Sequence, residues 1–282
     1  MAKGNDGNLL QHWVEAELAV RLYEQGGGKK LHVVLTHGMA PFECFEARKT
    51  GTSGYKTLEG WLAIAQGPNL PPNPPAVVFA YRDCRASAAN YPNSGEILAA
   101  LLGRGNLQGY IAEISPPKLD ALRYAWGGQK VEILAESWRR YLKCCSCPRP
   151  FDHPWLFSLD PMTFDPAADE KTDPPDDASL RSSDLDQLRP VFLSYLESGK
   201  PGAITIFCFS LVTEKAAKAM KRKATYEPYK RAICQLARVL KCHHDFCEVK
   251  AANPHVGAIL SMDQALIDSV KKLWDMRHGD SR

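Results

Sequence analysis

The chain has no apolar run long enough to cross a bilayer, and its start, Met1-Ala2-Lys3-Gly4-Asn5-Asp6, lacks the apolar core of a signal peptide. No membrane partner is expected, and cytoplasmic residence is the reading that follows. Neither sign of charge dominates: 35 basic against 32 acidic side chains leave a formal net charge of +3, which permits a nucleic-acid partner without arguing for one. Internal repeats are missing too. Nine cysteines, an odd number on 282 residues, do not make the pattern of a secreted disulfide scaffold. What is present is ordinary for a globular protein, 45% hydrophobic and 24% charged, and the length suits one large α/β domain with an inserted lobe.

In chain order, Asn8 to Leu22 reads as an amphipathic helix ended by Gly26-Gly27-Gly28. Leu31 to His37 reads as a strand with Thr36-His37-Gly38 at its carboxyl end. Residues 1–41 thus open the main domain. Residues 42–90 fit a nucleotide-binding sheet poorly, with a short helix at Gly54–Leu62 and the loop Leu70-Pro71-Pro72-Asn73-Pro74-Pro75, and read as a small inserted lobe. From 91 to 282 the main domain resumes. Asn93 or Ser94 caps a helix running through Leu102. Strands at Gly109–Ile114, Lys130–Leu134, Trp155–Leu159 and Ala203–Phe209 alternate with helices, the pattern of a parallel sheet covered on both faces. Asp165 to Asp186 reads as a mobile acidic loop. Lys215 to Leu240 reads as helical with a break at Pro228. Cys242–Val249 and Val256–Met262 lie too close for a helical crossover, which predicts an antiparallel hairpin before a closing helix at Asp263–Trp274.

One stretch organises the rest. Trp155-Leu156-Phe157-Ser158-Leu159 reads as a fully buried strand that delivers Asp160-Pro161 to its carboxyl end, where open α/β sheets bind ligands. An acidic residue and a nearby carbonyl at such a corner can each accept one N–H of an exocyclic amino group, while an aromatic face stacks on the base. The plainer reading is a turn after a core strand. The basic stretch Lys215, Lys218, Lys221, Arg222, Lys223, Lys230 and Arg231, interleaved with Tyr226 and Tyr229, fits an RNA-facing surface and a solvated helix face equally. Cys144-Cys145-Ser146-Cys147 and Cys242 to Cys247 hold metal-ligand types, but strand alternation splits the second cluster between two faces, so no metal site is read.

The ordered set Gly4-Asn5, Gln11-His12, Thr36-His37, Tyr91-Pro92-Asn93-Ser94, Glu113, Glu136-Ser137 and Asp160-Pro161 resembles RlmJ, the bacterial family of 23S ribosomal RNA adenine-N6 methyltransferases, from about Gly4 to Trp274. The resemblance implies a Rossmann-like class I methyltransferase fold, with a mainly parallel seven-stranded sheet and a terminal antiparallel hairpin. It implies S-adenosyl-L-methionine as cofactor and RNA, ahead of DNA, as partner. It places His12, His37, Ser94, Glu113, Glu136, Ser137 and Asp160 at the cofactor, with Glu113 on the ribose hydroxyls, Glu136-Ser137 at the adenine and Ser94 near the methionine end. Asp160 and Pro161 become catalytic, and Asn5 and Phe164 face the substrate. Without the resemblance, His12 reads as a helix-face histidine and His37 and Glu113 as strand-end residues.

Departures from the family cluster on the acceptor side. The corner reads Asp-Pro-Met-Thr where the family has Asp-Pro-Pro-Tyr, leaving Phe164 to stack one position later. Gly38-Met39-Ala40-Pro41 replaces a glycine-rich turn, and Gln11 stands at a family lysine. The acidic loop opposes a phosphate backbone. The chain therefore reads as an S-adenosylmethionine-dependent N6-adenine methyltransferase. The alternative is a cofactor-binding relative that has lost base methylation and acts as a sensor or interaction module, or methylates another acceptor.

Overall fold

A computed structural model describes residues 6–43, 56–87, 90–139, 152–161, 163–165, 179–209, 211–221, 223–250 and 254–278. In chain order the elements are α1 (Asp6–Gln25), β1 (Leu31–Leu35), β2 (Phe42–Glu43), α2 (Lys56–Gln66), α3 (Ala76–Asp83), β3 (Tyr91–Pro92), α4 (Ser94–Leu102), β4 (Leu107–Ala112), α5 (Pro116–Trp126) and β5 (Val131–Leu134). Then come β6 (Trp155–Leu159), β7 (Thr163–Asp165), β8 (Ser179–Arg181), α6 (Ser182–Leu196), β9 (Gly202–Cys208), α7 (Glu214–Met220), α8 (Tyr226–Leu240), β10 (His243–Val249), β11 (His255–Ser261) and α9 (Gln264–His278).

Seven strands form one sheet in the order β10-β11-β9-β6-β1-β4-β5. The five from β9 to β5 run parallel; β11 runs antiparallel to β9 and pairs with β10 as the expected antiparallel hairpin, so only β11 is reversed in the sheet. From β1 the chain goes outward to β4 and β5, then returns to the other side of β1 as β6. The gap between β1 and β6 is therefore the switch point where open sheets form their crevice. Register brings its two lips level, with Leu35 beside Ile111 on one side and Ser158 on the other.

Strand β6 shows how the sequence sets both cores. All five residues are buried, and alternation sends Trp155, Phe157 and Leu159 to one core and Leu156 to the other. The first core packs Phe157 edge-on to Phe192 and Tyr195 of α6. The second is built on α1, where Trp13 meets Trp61 of α2 and Trp274 of α9 edge-on at 5.0 and 5.6 Å. Truncating so enclosed an indole to alanine costs about 3–5 kcal/mol. Helices α2 and α3 pack on each other, on α1 and, through α3, on α4.

Several expectations change. Helix α1 is not a surface amphipathic helix: Gln11, His12, Glu15 and Glu17, which would form its wet face, are all buried. The segment expected as a mobile loop is structured from residue 179, where β8 pairs with β7 and runs into α6, while residues 166–178 lie outside the described set. The helical break falls ahead of Pro228, because Lys221 takes a left-handed φ of 51° and ends α7, and residues 223–225 are not helical. Pro228 sits in the first turn of α8, where its missing N–H has no helical acceptor to lose. Helix α3 and the short pairs β2–β3 and β7–β8 carry no signal strong enough to be read from periodicity alone.

Candidate active site

The carboxyl ends of β1, β4 and β5 surround a shallow, open recess that encloses only about 10 Å³ and is lined by Thr36, His37, Ala112, Glu113, Ile114 and Glu136. Its floor is held by one carboxylate. Glu113, 7% exposed, accepts the backbone N–H of Met39 on Oε2 (2.8 Å) and of Ser115 on Oε1 (2.7 Å). Each oxygen keeps a lone pair for a ligand hydroxyl. The loop after β1 is then clamped from the other side by Asn93. Its Nδ2 donates to the Gly38 carbonyl (2.7 Å) while its Oδ1 caps α4 by accepting from Glu96 N (2.8 Å). Asn93 is thus the cap left undecided between it and Ser94.

Gly38 leaves no room for a side chain, since a Cβ there would stand 2.7 Å from Leu122 Cδ1 and 2.9 Å from Glu113 Cβ. Met39, at a family glycine turn, does adopt the glycine-like conformation, with φ 50°. A non-glycine residue in that region bears about 1 kcal/mol of strain.

Asp160 lies on the other lip, and it is not at an open mouth. It is 6% exposed, its backbone N–H donates to Thr36 Oγ1 (3.1 Å), and its Oδ1 is buried with no hydrogen-bond partner among the described residues. Like Ser158 two residues earlier, it lies on the α1 side of the sheet. There Glu15 accepts on Oε1 from Gln11 Nε2 (3.1 Å) and from the Ser158 hydroxyl, and its Oε2 has no partner. Gln11 Nε2 also donates to Ser94 Oγ (3.2 Å). Burial first, then the Glu15 charge, push the Asp160 carboxyl up to about 8, with the Gln11 amide opposing them; burial likewise raises Glu15.

His12 belongs to a third group. Its Nδ1 is within hydrogen-bond distance of Tyr91 Oη (2.9 Å) and Tyr81 Oη (3.2 Å), and its ring stacks on Tyr91 at 5.0 Å. Burial drives its pKa down to about 3, so the ring is neutral at any ordinary pH.

The structure therefore brings His37, Glu113 and Glu136 around one recess, joins them to Asp160 through Thr36, and ties Ser94 to the Asp160 side through Gln11. His12 is turned into a tyrosine pair. The Ser137 hydroxyl accepts from the backbone N–H of Arg139 (3.2 Å). Pro161 is buried beside Asp160. Phe164 corrects an expectation: it is 2% exposed and packed edge-on to Tyr229 at 5.6 Å, because β7 pairs with β8 and turns its ring into the core. It does not face the recess. Asn5 and Cys144 to Cys147 lie outside the described residues.

On the basic stretch, Tyr229 is buried, with its hydroxyl donating to the Ile206 carbonyl (2.6 Å). Lys230 pairs with Glu248 (2.7 Å), which leaves Lys215, Lys218, Lys221, Lys223 and Arg231 as an exposed face. Among the described residues no group of three His, Cys, Asp or Glu side chains is placed to hold a metal, and no helix is long and apolar enough to cross a membrane. Sequence reasoning missed Glu15 and Tyr81, and gave Asn93 only as a helix cap. Only the i, i+4 spacing of Gln11 and Glu15 could have signalled a shared polar face on α1.

The strand order and the antiparallel last hairpin are those of the Rossmann-like class I methyltransferase fold. Protein LPL1258 from Legionella pneumophila, of the DUF519 family, shares the fold over 98% of this chain and 92% of its own, with TM-score 0.63 and 12% sequence identity. A methyltransferase of the DUF858 family from Leishmania major superposes with TM-score 0.33 and 12% identity over 59% of each chain. An rRNA methylase from Streptococcus thermophilus gives TM-score 0.32 and 14% identity over 59% of this chain and 80% of that one. At such scores these two carry no weight. The sequence matches no protein-family model and no curated protein.

Proposed function

We propose that the chain is an S-adenosylmethionine-dependent methyltransferase of the RlmJ type, acting on adenine N6 in nucleic acid, with ribosomal RNA as the first substrate to test. What supports this reading is a seven-stranded sheet with class I methyltransferase strand order, carrying a polar recess at the ends of β1, β4 and β5 and a buried acidic corner, Asp160-Pro161, joined to it through Thr36 across β1. The chemistry of the site fits the cofactor: Glu113 has lone pairs for ribose hydroxyls, His37 and Glu136 line the same recess, and Asp160 has a carboxyl oxygen without a hydrogen-bond partner among the described residues.

When bound, the cofactor supplies an already activated sulfonium methyl, so the chain's own task is alignment. With a cation bound beside it, Asp160 would ionise and its carboxylate would accept one N6 hydrogen of an extruded adenine, the Pro161 carbonyl taking the other, which turns the nitrogen lone pair towards the methyl. Thr36, bonded to the Asp160 backbone, keeps that corner in register with β1.

The burial of Phe164 favours a second reading. With no described aromatic face to stack on a base, the acceptor is another nucleophile, or the chain binds the cofactor without transferring the methyl. Calorimetry with S-adenosylmethionine, followed by labelled methyl transfer to ribosomal RNA, DNA and small amines, separates these. The leading reading expects transfer to adenine that drops at least about 100-fold in Asp160→Ala. Transfer that survives the substitution removes the role given to Asp160. Tight cofactor binding with no nucleic-acid product moves the assignment to the second reading.

A further inference from the structure

Glu15 has no place in the mechanism above, yet it is the most enclosed acidic side chain near the crevice, with 0% of its surface exposed. Among the described residues, the groups acting on it or on Asp160 are neutral or acidic. Gln11, bonded to Glu15, and the uncharged His12 come from α1, Ser94 from α4, and Thr36 from the end of β1. Ser158 of β6 donates to Glu15, Tyr91 of β3 acts on it, and Cys208 at the end of β9 is coupled to Asp160. None of the ion pairs among the described residues includes Glu15 or Asp160. One oxygen of each carboxylate, Glu15 Oε2 and Asp160 Oδ1, is buried without a hydrogen-bond partner among those residues. Burial and each other's charge make it unfavourable for both carboxyls to ionise unless a cation lies near them.

We propose that Glu15 and Asp160 form a buried acid pair that makes this site select a positively charged ligand, so that the sulfonium methyl donor is held in preference to its neutral thioether product. This rests on the cofactor reading given above. It does not depend on what accepts the methyl group. Glu15 is a specificity residue here, acting through Asp160. The change from carboxylate to amide at position 15 is informative because a glutamine keeps the oxygen that accepts from Gln11 and Ser158. It removes one of the two acidic groups, leaving Asp160 as the single carboxyl of the pair.

The test compares wild type with Glu15→Gln, both checked for native circular dichroism. Calorimetric titration with S-adenosylmethionine and with S-adenosylhomocysteine is run from pH 5 to pH 8. Wild type is expected to prefer the sulfonium, with the preference growing as pH rises. In Glu15→Gln the preference falls by about tenfold at pH 8 and loses most of its pH dependence. A preference ratio equal in the two proteins overturns the proposal. A separate readout needs no ligand: infrared spectra should show a protonated carboxyl band in wild type at neutral pH that is lost in Glu15→Gln. A wild type without that band overturns the acid pair outright. If neither ligand binds while the band behaves as stated, the methyl-donor reading and the ligand selection fall together, and the acid pair alone stands.

Discussion

Glu113 and Asp160 are the same kind of residue in the same kind of place, a carboxylate just past the end of a buried parallel strand, and they are buried to the same degree, 7% and 6% exposed. Their neighbours make them opposites. Glu113 has a backbone N–H on each oxygen, from Met39 and Ser115, so it acts as a bracket that shapes the loop over the recess. Asp160 has an orphan oxygen and a second carboxylate for a neighbour, and it is pushed up to about 8. Burial alone does not set the behaviour of an acidic side chain; the donors supplied with it do.

The largest effect expected from this contrast is on the bracket. Glu113→Ala leaves two part-buried N–H groups without acceptors and should lower stability by about 3 kcal/mol in urea denaturation. A loss near zero would mean that the loop finds other acceptors. Gly38→Ala attacks the same bracket from outside, by pushing a methyl group against Leu122 and Glu113, and should cost about 2 kcal/mol by the same measurement.

The acid pair responds with the other sign. Both of its carboxyls bind protons more tightly folded than unfolded, so wild-type stability from this pair is complete in acid and is lost as pH rises from about 4 through about 8. Glu15→Gln removes that loss. Its stability should equal wild type near pH 4 and exceed it by about 1–2 kcal/mol at pH 8. Thermal melts across that range check this, and a variant less stable than wild type at pH 8 would show that the pair is compensated in solution.

The smallest effect is at Met39. Glycine there relieves about 1 kcal/mol of left-handed strain and gives back most of it as unfolded-chain entropy, so Met39→Gly should stay within about 0.5 kcal/mol of wild type. A large gain would mark the methionine as a strained substitution in the loop.

Much of the site was legible in the chain because it follows strand ends. His37 after β1, Glu113 after β4 and Asp160 after β6 are each reached by counting from a strand, and register then levels them, whereas Glu136 past the half-exposed β5 came only from the family resemblance. His12 and Glu15 were not legible in this way. A polar residue on a helix reads as solvent-facing, and only the burial of α1 on every side turned Gln11, His12 and Glu15 into interior groups with partners on β6, α4 and β3. Phe164 failed for a related reason. Its neighbour in sequence is Asp160, but its direction was decided by β8, which supplies the pairing partner for β7.

The amino-acid order by itself determined the strands, the hairpin and the acidic corner, since alternation, apolar runs and connection length are local properties that one chain can display unaided. Which polar groups meet in the dark was decided only when α1 was enclosed between the sheet and the other helices. Hydrogen bonds and charge coupling act over a few ångströms, and the Glu15–Ser158 contact spans 143 residues of chain. No pattern along the sequence encodes that distance, and on it depends whether a carboxylate becomes a bracket or an acid.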